Sequence, residues 1–452
     1  MKNYDVIYIG SGHSSWHGAL ILKTLGKKVA LVERDLLGGT CTNYGCDAKI
    51  LLDSPFELKE GLDRYQSIGL AQEAKLDWKA LMAYKKQYIG AFQPAMEGLF
   101  QNFGFDLIRG EAKFVDAHTI KVGDEEYQAK NFVIGTGQTY VPLEIPGKEY
   151  FRDSRDFLSL DEIPDHVTFV GAGIISMEFA SLCLSLGKKV DIVDLANNAL
   201  RQYQQDYVAE IVKKMESQGA KFHFGVHVKS LEKKGKNEFV LRTEEGDEIL
   251  SNYVLVAVGR EANVANMNLE GIGVKASKRG IEVDGHLRTS VKNIYASGDV
   301  IDKRIPKLTP TAEFESNYIA FDIIFPWNSK IKYPVVPNLV FTLPRIAAVG
   351  VSEEEAKKDE NRYRIEKLPI GQNMAWLNKN QRNEHLTIVI DRKRKTIAGA
   401  AILSDDAGVY IDVLTLLINL KVTARKLSKM IFAFPTQTYG LISALIPLLL
   451  KK

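Results

Sequence analysis

The chain has 452 residues, 45% hydrophobic and 25% charged, with 59 basic and 56 acidic side chains. This is the balance of an ordinary globular protein of about three domains, and its formal charge of +3 excludes a strongly basic surface built for polyanions. Three cysteines do not make a structural disulfide framework. No nucleic-acid-binding motif is present, and none of the residues form a metal-ligand pattern.

Tyr4 to Ile9 reads as a strand that follows Met1 with no charged leader, so no signal peptide is expected and the expected compartment is the cytoplasm. Gly10-Ser11-Gly12-His13-Ser14-Ser15 is a turn, Trp16 to Leu25 a helix, and Lys28 to Val32 a second strand closed by Glu33. This is a βαβ unit of the dinucleotide-binding kind. Gly10 permits the tight turn, and Gly12 lets backbone approach a pyrophosphate at the helix N-terminus. Glu33 is placed to accept hydrogen bonds from an adenosine ribose. Ser15 stands where the fingerprint usually has its third glycine.

Gly38-Gly39-Thr40-Cys41-Thr42-Asn43-Tyr44-Gly45-Cys46-Asp47-Ala48-Lys49 follows, with two of the three cysteines. Read as one helix opening after Thr40, it sets Cys41 and Cys46 about one and a half turns apart. A bridge over that span would distort the first turn, and a helix N-terminus stabilises the thiolates that reduction releases. The pair therefore reads as a disulfide that opens and closes in turnover, suited to a reducing cytoplasm and reset by NADH or NADPH. Two buried free thiols are the competing reading.

Residues 50 to 100 read as helices, with Gln93-Pro94 expected to break the pattern. Phe105 to Val122 is a run of short strands, and Asn131 to Ile134 is a strand ending in Gly135-Thr136-Gly137. A second βαβ unit runs from His166 through Gly171-Ala172-Gly173 and the helix Met177 to Leu186 to Lys189–Asp194. Two such units imply electron transfer between two dinucleotides. Asp194 selects a free ribose 2′-hydroxyl and repels a 2′-phosphate, which favours NAD(H) over NADP(H), although Arg201 is nearby. Cys183, among leucines on this helix, reads as a packing residue. Asn252 to Arg260 closes the unit. Gly298-Asp299 ends a further strand, with Asp299 a candidate contact for the sugar-alcohol chain of a flavin. Lys307 to Ala312 is expected to open a helix with its backbone N–H groups placed to face such a flavin's ring.

These motifs together resemble the flavin-dependent pyridine nucleotide–disulfide oxidoreductases, over essentially the whole chain. They are Gly10-Ser-Gly12, Gly39-Thr40-Cys41-x4-Cys46, Thr136-Gly137, Gly171-Ala-Gly173 with Glu178, Gly259-Arg260 with Asn263, and Gly298-Asp299. The resemblance implies an α/β fold: two Rossmann-like nucleotide-binding domains and a C-terminal α+β dimerisation domain. The expected divisions are an FAD-binding domain in two parts (1–148 and 264–335), an NAD-binding domain (149–263) and an interface domain (336–452). It implies FAD and NAD(H) as cofactors, a homodimer, and a small-molecule electron acceptor. It further implies that Cys46 lies nearer the flavin, that Cys41 exchanges with substrate, and that Lys49 lies beside the flavin and pairs with Glu178.

The chain departs from the family pattern in two places. The usual proline two residues after the second cysteine is Ala48, preceded by Asp47, whose carboxylate would raise the Cys46 pKa. The C-terminal His-Pro-Thr and following glutamate, supplied by the partner subunit, are here Phe434-Pro435-Thr436 and Tyr439. Phenylalanine cannot transfer a proton, and losing a positioned acid–base group costs roughly two to four orders of magnitude in rate. His13, Tyr44 and Tyr439 are the weak substitutes in view.

The sequence thus predicts a flavoprotein reductase acting through Cys41–Cys46 on a disulfide or other small acceptor. A quinone or metal-ion reductase, thiolate chemistry like that of 2-oxopropyl-coenzyme M reductase, and a redox sensor with little turnover are the alternatives. The apolar run Gly440 to Leu450 is too short to span a bilayer; a subunit-interface helix is expected, with a membrane-surface anchor as the other reading.

Overall fold

The computed structural model describes residues 2–66, 68–325 and 327–451. The chain opens with β1 (Lys2–Ile9), α1 (His13–Thr24) and β2 (Val29–Glu33), the expected βαβ unit. Two helices follow, α2 (Gly39–Tyr44) and α3 (Cys46–Asp63), and then α4 (Trp78–Asn102). Strands β3 (Asp106–Arg109), β4 (Ala112–Asp116), β5 (Thr119–Val122) and β6 (Glu125–Ile134) complete the first part. Among the described residues they form a sheet in the order β3-β2-β1-β6-β5-β4, with Ile294–Ala296 added in parallel against β6. The last strand is contributed from far along the chain, so the first sheet is completed by residues that follow the second nucleotide fold in sequence.

The chain crosses over at the ends of β1 and β6, the place where open α/β sheets bind ligands. Gly10 leaves β1 at φ +101°, and a Cβ there would stand 2.5 Å from the Gly135 carbonyl oxygen at the end of β6. The second unit repeats the device: Gly171 has φ +99°, and its Cβ would meet the Ala257 carbonyl oxygen at 2.6 Å. In that unit Ala220–Phe224, Lys189–Asp194, His166–Val170 and Tyr253–Val256 are parallel neighbours in that order. The Ile174–Ser185 helix follows the glycine turn, with Cys183 fully buried among apolar side chains as the sequence suggested.

Two local expectations are corrected. The cysteine segment is not one helix: Gly45 separates α2 from α3, and Cys46 becomes the first residue of α3. Nor does Pro94 end a helix, since α4 runs through it for 25 residues. The proline forfeits one backbone hydrogen bond. Burial of Trp78, Met82 and Ile89 before it and Phe100 after it holds both halves in line. Gln93 adds side-chain bonds to the Leu37 backbone and to Asn43.

The C-terminal part is a five-stranded sheet among the described residues, in the order Asn338–Val340, Arg345–Gly350, Thr396–Ser404, His385–Asp391, Tyr363–Leu368. Its core gathers Trp376, Tyr410, Leu414, Leu441 and Leu445. The apolar tail lies in the Gln437–Leu450 helix, whose Leu441, Ile442, Leu445 and Leu449 are buried in the protomer's own core. The tail expected to pair subunits or touch lipid thus spends much of its apolar face within one chain. No helix among the described residues is long and apolar enough to cross a membrane.

Candidate active site

A continuous cleft of about 1690 Å³ runs across the C-terminal ends of the parallel strands of both sheets. Gly10, Gly12, Glu33, Thr40 and Gly137 line it on the first side, and Gly171, Gly173, Asp194 and Gly259 on the second. Asp299 and Ala312 border it as well. Ser15 does not: it is fully buried and packs against Gly135, because the third fingerprint position faces the neighbouring strand end. The two terminal acids fold their own turns. Glu33 accepts from the Ser11 backbone at 2.9 Å and from the Ser11 hydroxyl at 2.7 Å. Asp194 accepts from the backbone of Ala172 at 2.5 Å and of Ala196 at 2.7 Å.

The cleft suits an extended dinucleotide. Its size exceeds that of an ordinary small-ligand pocket. The Thr136 hydroxyl at the end of β6 is buried with no hydrogen-bond partner among the described residues, a donor positioned for a ligand.

Where the two halves meet stand the cysteines, both free thiols here. The Cys46 Sγ is 3.5 Å from the Thr309 Oγ1, at the start of the Thr309–Ile324 helix. The Cys46 thiol is pushed down to about 6, chiefly because the Cys41 thiol hydrogen-bonds to it. Thr309 and the Lys49 ammonium lower it further, against the opposing effects of burial and of Asp47. Asp47 does act in the direction its sequence position suggested, but it is outweighed. Cys41 moves the other way, raised first by its bond to Cys46 and then by burial. The pair loses its first proton from Cys46 and keeps the second on Cys41.

One turn along α3, the Lys49 Nζ is 2.9 Å from both carboxylate oxygens of Glu178. Glu178 also accepts from the Phe341 backbone N–H at 2.9 Å, and the Phe341 ring lies 4.0 Å from the Lys49 Nζ. The expected Lys49–Glu178 pair is therefore present. Thr309 and Phe341 were not singled out as its neighbours in the sequence. The signal for Thr309 was the helix opening at 309, whereas Phe341 had none, because it arrives from the C-terminal sheet.

Phe434 and Tyr439 lie on the surface, at 75% and 40% exposure, with their rings edge-on at 5.1 Å. Tyr44 is engaged elsewhere: its hydroxyl donates to Asp35 at 3.1 Å, and its ring lies under Arg155.

Comparison with known proteins agrees with this geometry. Residues 4–316 match the pyridine nucleotide-disulphide oxidoreductase family, and residues 336–443 match its dimerisation domain. A dihydrolipoyl dehydrogenase of Geobacillus stearothermophilus is 31% identical over 443 residues, covering 96% of this chain and 93% of its own. A mercuric reductase of Bacillus cereus is 30% identical over 446 residues, covering 97% of this chain and 70% of its own. Among solved structures, the HOCl-induced flavoprotein disulfide reductase RclA from Escherichia coli superposes with a TM-score of 0.87 at 25% identity, covering 98% of this chain and all of that one. With two glycine turns on one cleft, a dithiol where they meet and family matches over both parts, the chain belongs to the pyridine nucleotide-disulphide oxidoreductases, which bind FAD and NAD(P)H and pass electrons through flavin to a disulfide or another acceptor.

Proposed function

We propose that this chain is an NADH-dependent flavoprotein reductase in which Cys41 and Cys46 carry electrons to a small disulfide or other small acceptor. The observation that carries the reading is the placement of two free thiols on the cleft shared by both glycine turns, with the Cys46 Sγ 3.5 Å from the Thr309 Oγ1 and the Lys49 ammonium one turn along α3; the same surroundings push Cys46 down and Cys41 up. An unequal pair divides labour: one sulfur stores the negative charge, and the other remains to exchange with an acceptor.

The FAD would be held by Gly10, Gly12, Glu33, Thr40, Gly137, Asp299 and Ala312, and the NADH by Gly171, Gly173, Asp194 and Gly259. Bound there, the flavin supplies two-electron transfer between the nicotinamide and the sulfurs. The Lys49 ammonium, held by Glu178, places positive charge where electron density accumulates. Thr309 steadies the Cys46 thiolate, leaving Cys41 as the sulfur that meets the acceptor. Asp194, with Leu195 and Ala196 after it, supports NADH. The chain works as a homodimer through 336–452, in the cytoplasm. The divisions at 148, 263 and 335 serve as its domain boundaries, since Ile294–Ala296 returns to the first sheet.

NADH and NADPH oxidation with a panel of disulfides, quinones and metal ions tests this, using the wild type and Cys41→Ser. The expected result is a higher kcat/KM with NADH and loss of turnover in Cys41→Ser. Turnover that survives Cys41→Ser would overturn the dithiol route in favour of direct transfer from flavin. No turnover with any acceptor would favour a sensor.

A further inference from the structure

Cys41 and Cys46 sit on different helices, so their approach depends on how α2 is held against α3. A disulfide tolerates only a narrow range of Cα and Cβ placements. The junction itself is tight: a Cβ at Gly45 would stand 3.0 Å from the Thr40 carbonyl oxygen and 3.3 Å from the Cys41 Cα. Helix α2 has six residues, too few for its own backbone bonds to keep it rigid. Two of its side chains tie it to its surroundings. Asn43 donates to the Leu37 carbonyl at 2.8 Å and accepts from Gln93 at 2.8 Å, which fixes one side to the first nucleotide fold. Tyr44 fixes the other side, and it does so through both folds.

Tyr44, Asp35 and Arg155 close a ring of three contacts. The Tyr44 hydroxyl donates to one Asp35 carboxylate oxygen at 3.1 Å, and the Arg155 guanidinium donates to the other at 2.7 Å. The same guanidinium lies over the Tyr44 ring, 3.7 Å from its centroid. An ion pair this exposed, with Arg155 at 49% and Asp35 at 44%, would hold little by itself. Here each member touches both others, and the planar guanidinium meets the carboxylate with its edge and the ring with its face. Burial pushes the Asp35 carboxyl up, but the bonds from Arg155, the Leu36 backbone and Tyr44 outweigh it and hold it below the usual carboxylate range.

The anchors behind this ring of contacts are firm. Asp35 follows β2; its backbone N–H donates to the Glu33 carboxylate at 2.8 Å, and its carbonyl accepts from Arg109 at 3.0 Å. Arg155 belongs to the second fold. It stands in the Ser154–Phe157 helix, capped by Asp153, and Phe157 stacks on Phe179 of the Ile174–Ser185 helix at 4.2 Å. Just before it, Arg152 bonds through its backbone to Val254 and Val256 in the second sheet. Tyr44 lies one turn beyond Cys41 on the same helix, so whatever holds its side chain also holds the Cys41 backbone.

We propose that Tyr44 is a positioning residue for Cys41, and that Asp35 and Arg155 hold it from the two nucleotide folds. The proposal rests on the dithiol reading above. The three contacts set how closely the Cys41 sulfur is presented to Cys46, and they tie that presentation to the fold proposed to hold NADH. Losing them lets α2 swing about Gly45, so the dithiol closes less readily.

The test uses the full-length holoenzyme as wild type, Tyr44→Ala, Tyr44→Phe, Arg155→Ala, Arg155→Lys and the double variant Tyr44→Ala/Arg155→Ala. Each is equilibrated with mixtures of reduced and oxidised dithiothreitol, and free Cys41 and Cys46 are measured by alkylation and peptide mass spectrometry. In that exchange the Cys41–Cys46 bond forms as the bond of oxidised dithiothreitol breaks; two electrons pass to the reagent, with the Cys41 proton and one from solvent. Tyr44→Ala is expected to shift the equilibrium roughly tenfold towards the dithiol, because small misplacements cost large factors in proximity. Arg155→Ala should shift it in the same direction by less. The double variant should shift it no further than Tyr44→Ala, since both substitutions remove one device. Tyr44→Phe keeps the stack and Arg155→Lys keeps the ion pair, so each should lie between its alanine variant and the wild type. Affinity for NAD⁺, measured by titration calorimetry, should stay unchanged. A wild-type equilibrium in Tyr44→Ala and Arg155→Ala would overturn the proposal; where those do not fold, a wild-type equilibrium in Tyr44→Phe and Arg155→Lys would do so. Weakened NAD⁺ binding in Arg155→Ala with an unmoved equilibrium would place Arg155 on the nucleotide instead and also overturn it. Full turnover in Cys41→Ser would instead remove the dithiol reading itself, without moving the equilibrium that tests Tyr44.

Discussion

Lys49 and Glu178 meet across the two nucleotide folds, with the ammonium 2.9 Å from each carboxylate oxygen and the glutamate side chain only 5% exposed. A buried pair of this kind contributes little net stability, but breaking it strands a charge. Lys49→Met is therefore expected to destabilise the protein by about 3–5 kcal/mol, and the double variant Lys49→Met/Glu178→Gln by clearly less. Urea unfolding of the single and double variants measures this; equal losses would mean that Phe341 alone satisfies Glu178.

The thiol pair gives a pH dependence whose sign can be worked out. The Cys46 value falls from 9.0 to about 6 on folding, so its contribution to the stability of the reduced protein is present above about 9 and is lost as pH falls towards 6. Cys41 is raised, so its contribution is present below its unfolded value of 9.0 and is lost at higher pH. Between pH 6 and 9 the Tm of the reduced wild type should rise relative to that of Cys46→Ser. A flat difference across that window would contradict a depressed Cys46.

Phe434 is 75% exposed, so replacing it should change stability by no more than about 0.5 kcal/mol. The combined variant Phe434→His/Tyr439→Glu rebuilds the family's acid–base pair at its usual positions. It is expected to increase disulfide turnover in steady-state assays. No increase would mean that these positions do not reach the partner's dithiol.

The apolar tail makes a further prediction. Leu445 is fully buried in the C-terminal core, so Leu445→Ala should cost about 2–5 kcal/mol. Thermal melts would show the loss. Vesicle sedimentation should show no lipid binding by the wild type; binding would revive the anchor reading.

Features carried by neighbouring residues were legible in the sequence. Gly10 and Gly12 after an apolar strand, Glu33 at the end of the next, and the same order from Gly171 to Asp194 located both nucleotide folds, because each device is built within about 25 residues. The cysteine pair was equally plain, but its local geometry was not. Gly45 interrupts the helix where spacing alone predicted continuity, and α4 passes through Pro94 because distant contacts to Leu37 and Asn43 hold it. Asp47 was read as raising the Cys46 thiol; its charge does so, yet Cys41, Thr309 and Lys49 together prevail. The contacts of Arg155 with Asp35 and Tyr44 join segments far apart in the chain, and no spacing rule connects them.

Helix α3 has a wider meaning for how such a protein can change. Cys46, Lys49 and Asp53 recur along one stripe of it, and each fastens to a different part of the chain. Cys46 meets Thr309, Lys49 meets Glu178, and Asp53 meets Arg345 at 2.7 Å in the C-terminal sheet. Arg345 stacks on the ring of Phe341, the residue whose backbone holds Glu178. The parts of this chain are therefore not interchangeable cassettes. A chimaera that imports a C-terminal region from a relative inherits new partners for Asp53 and Glu178, and through them a new setting for the sulfurs. Recombination at residue 336 would succeed only where positions 53, 178, 341 and 345 travel as a set.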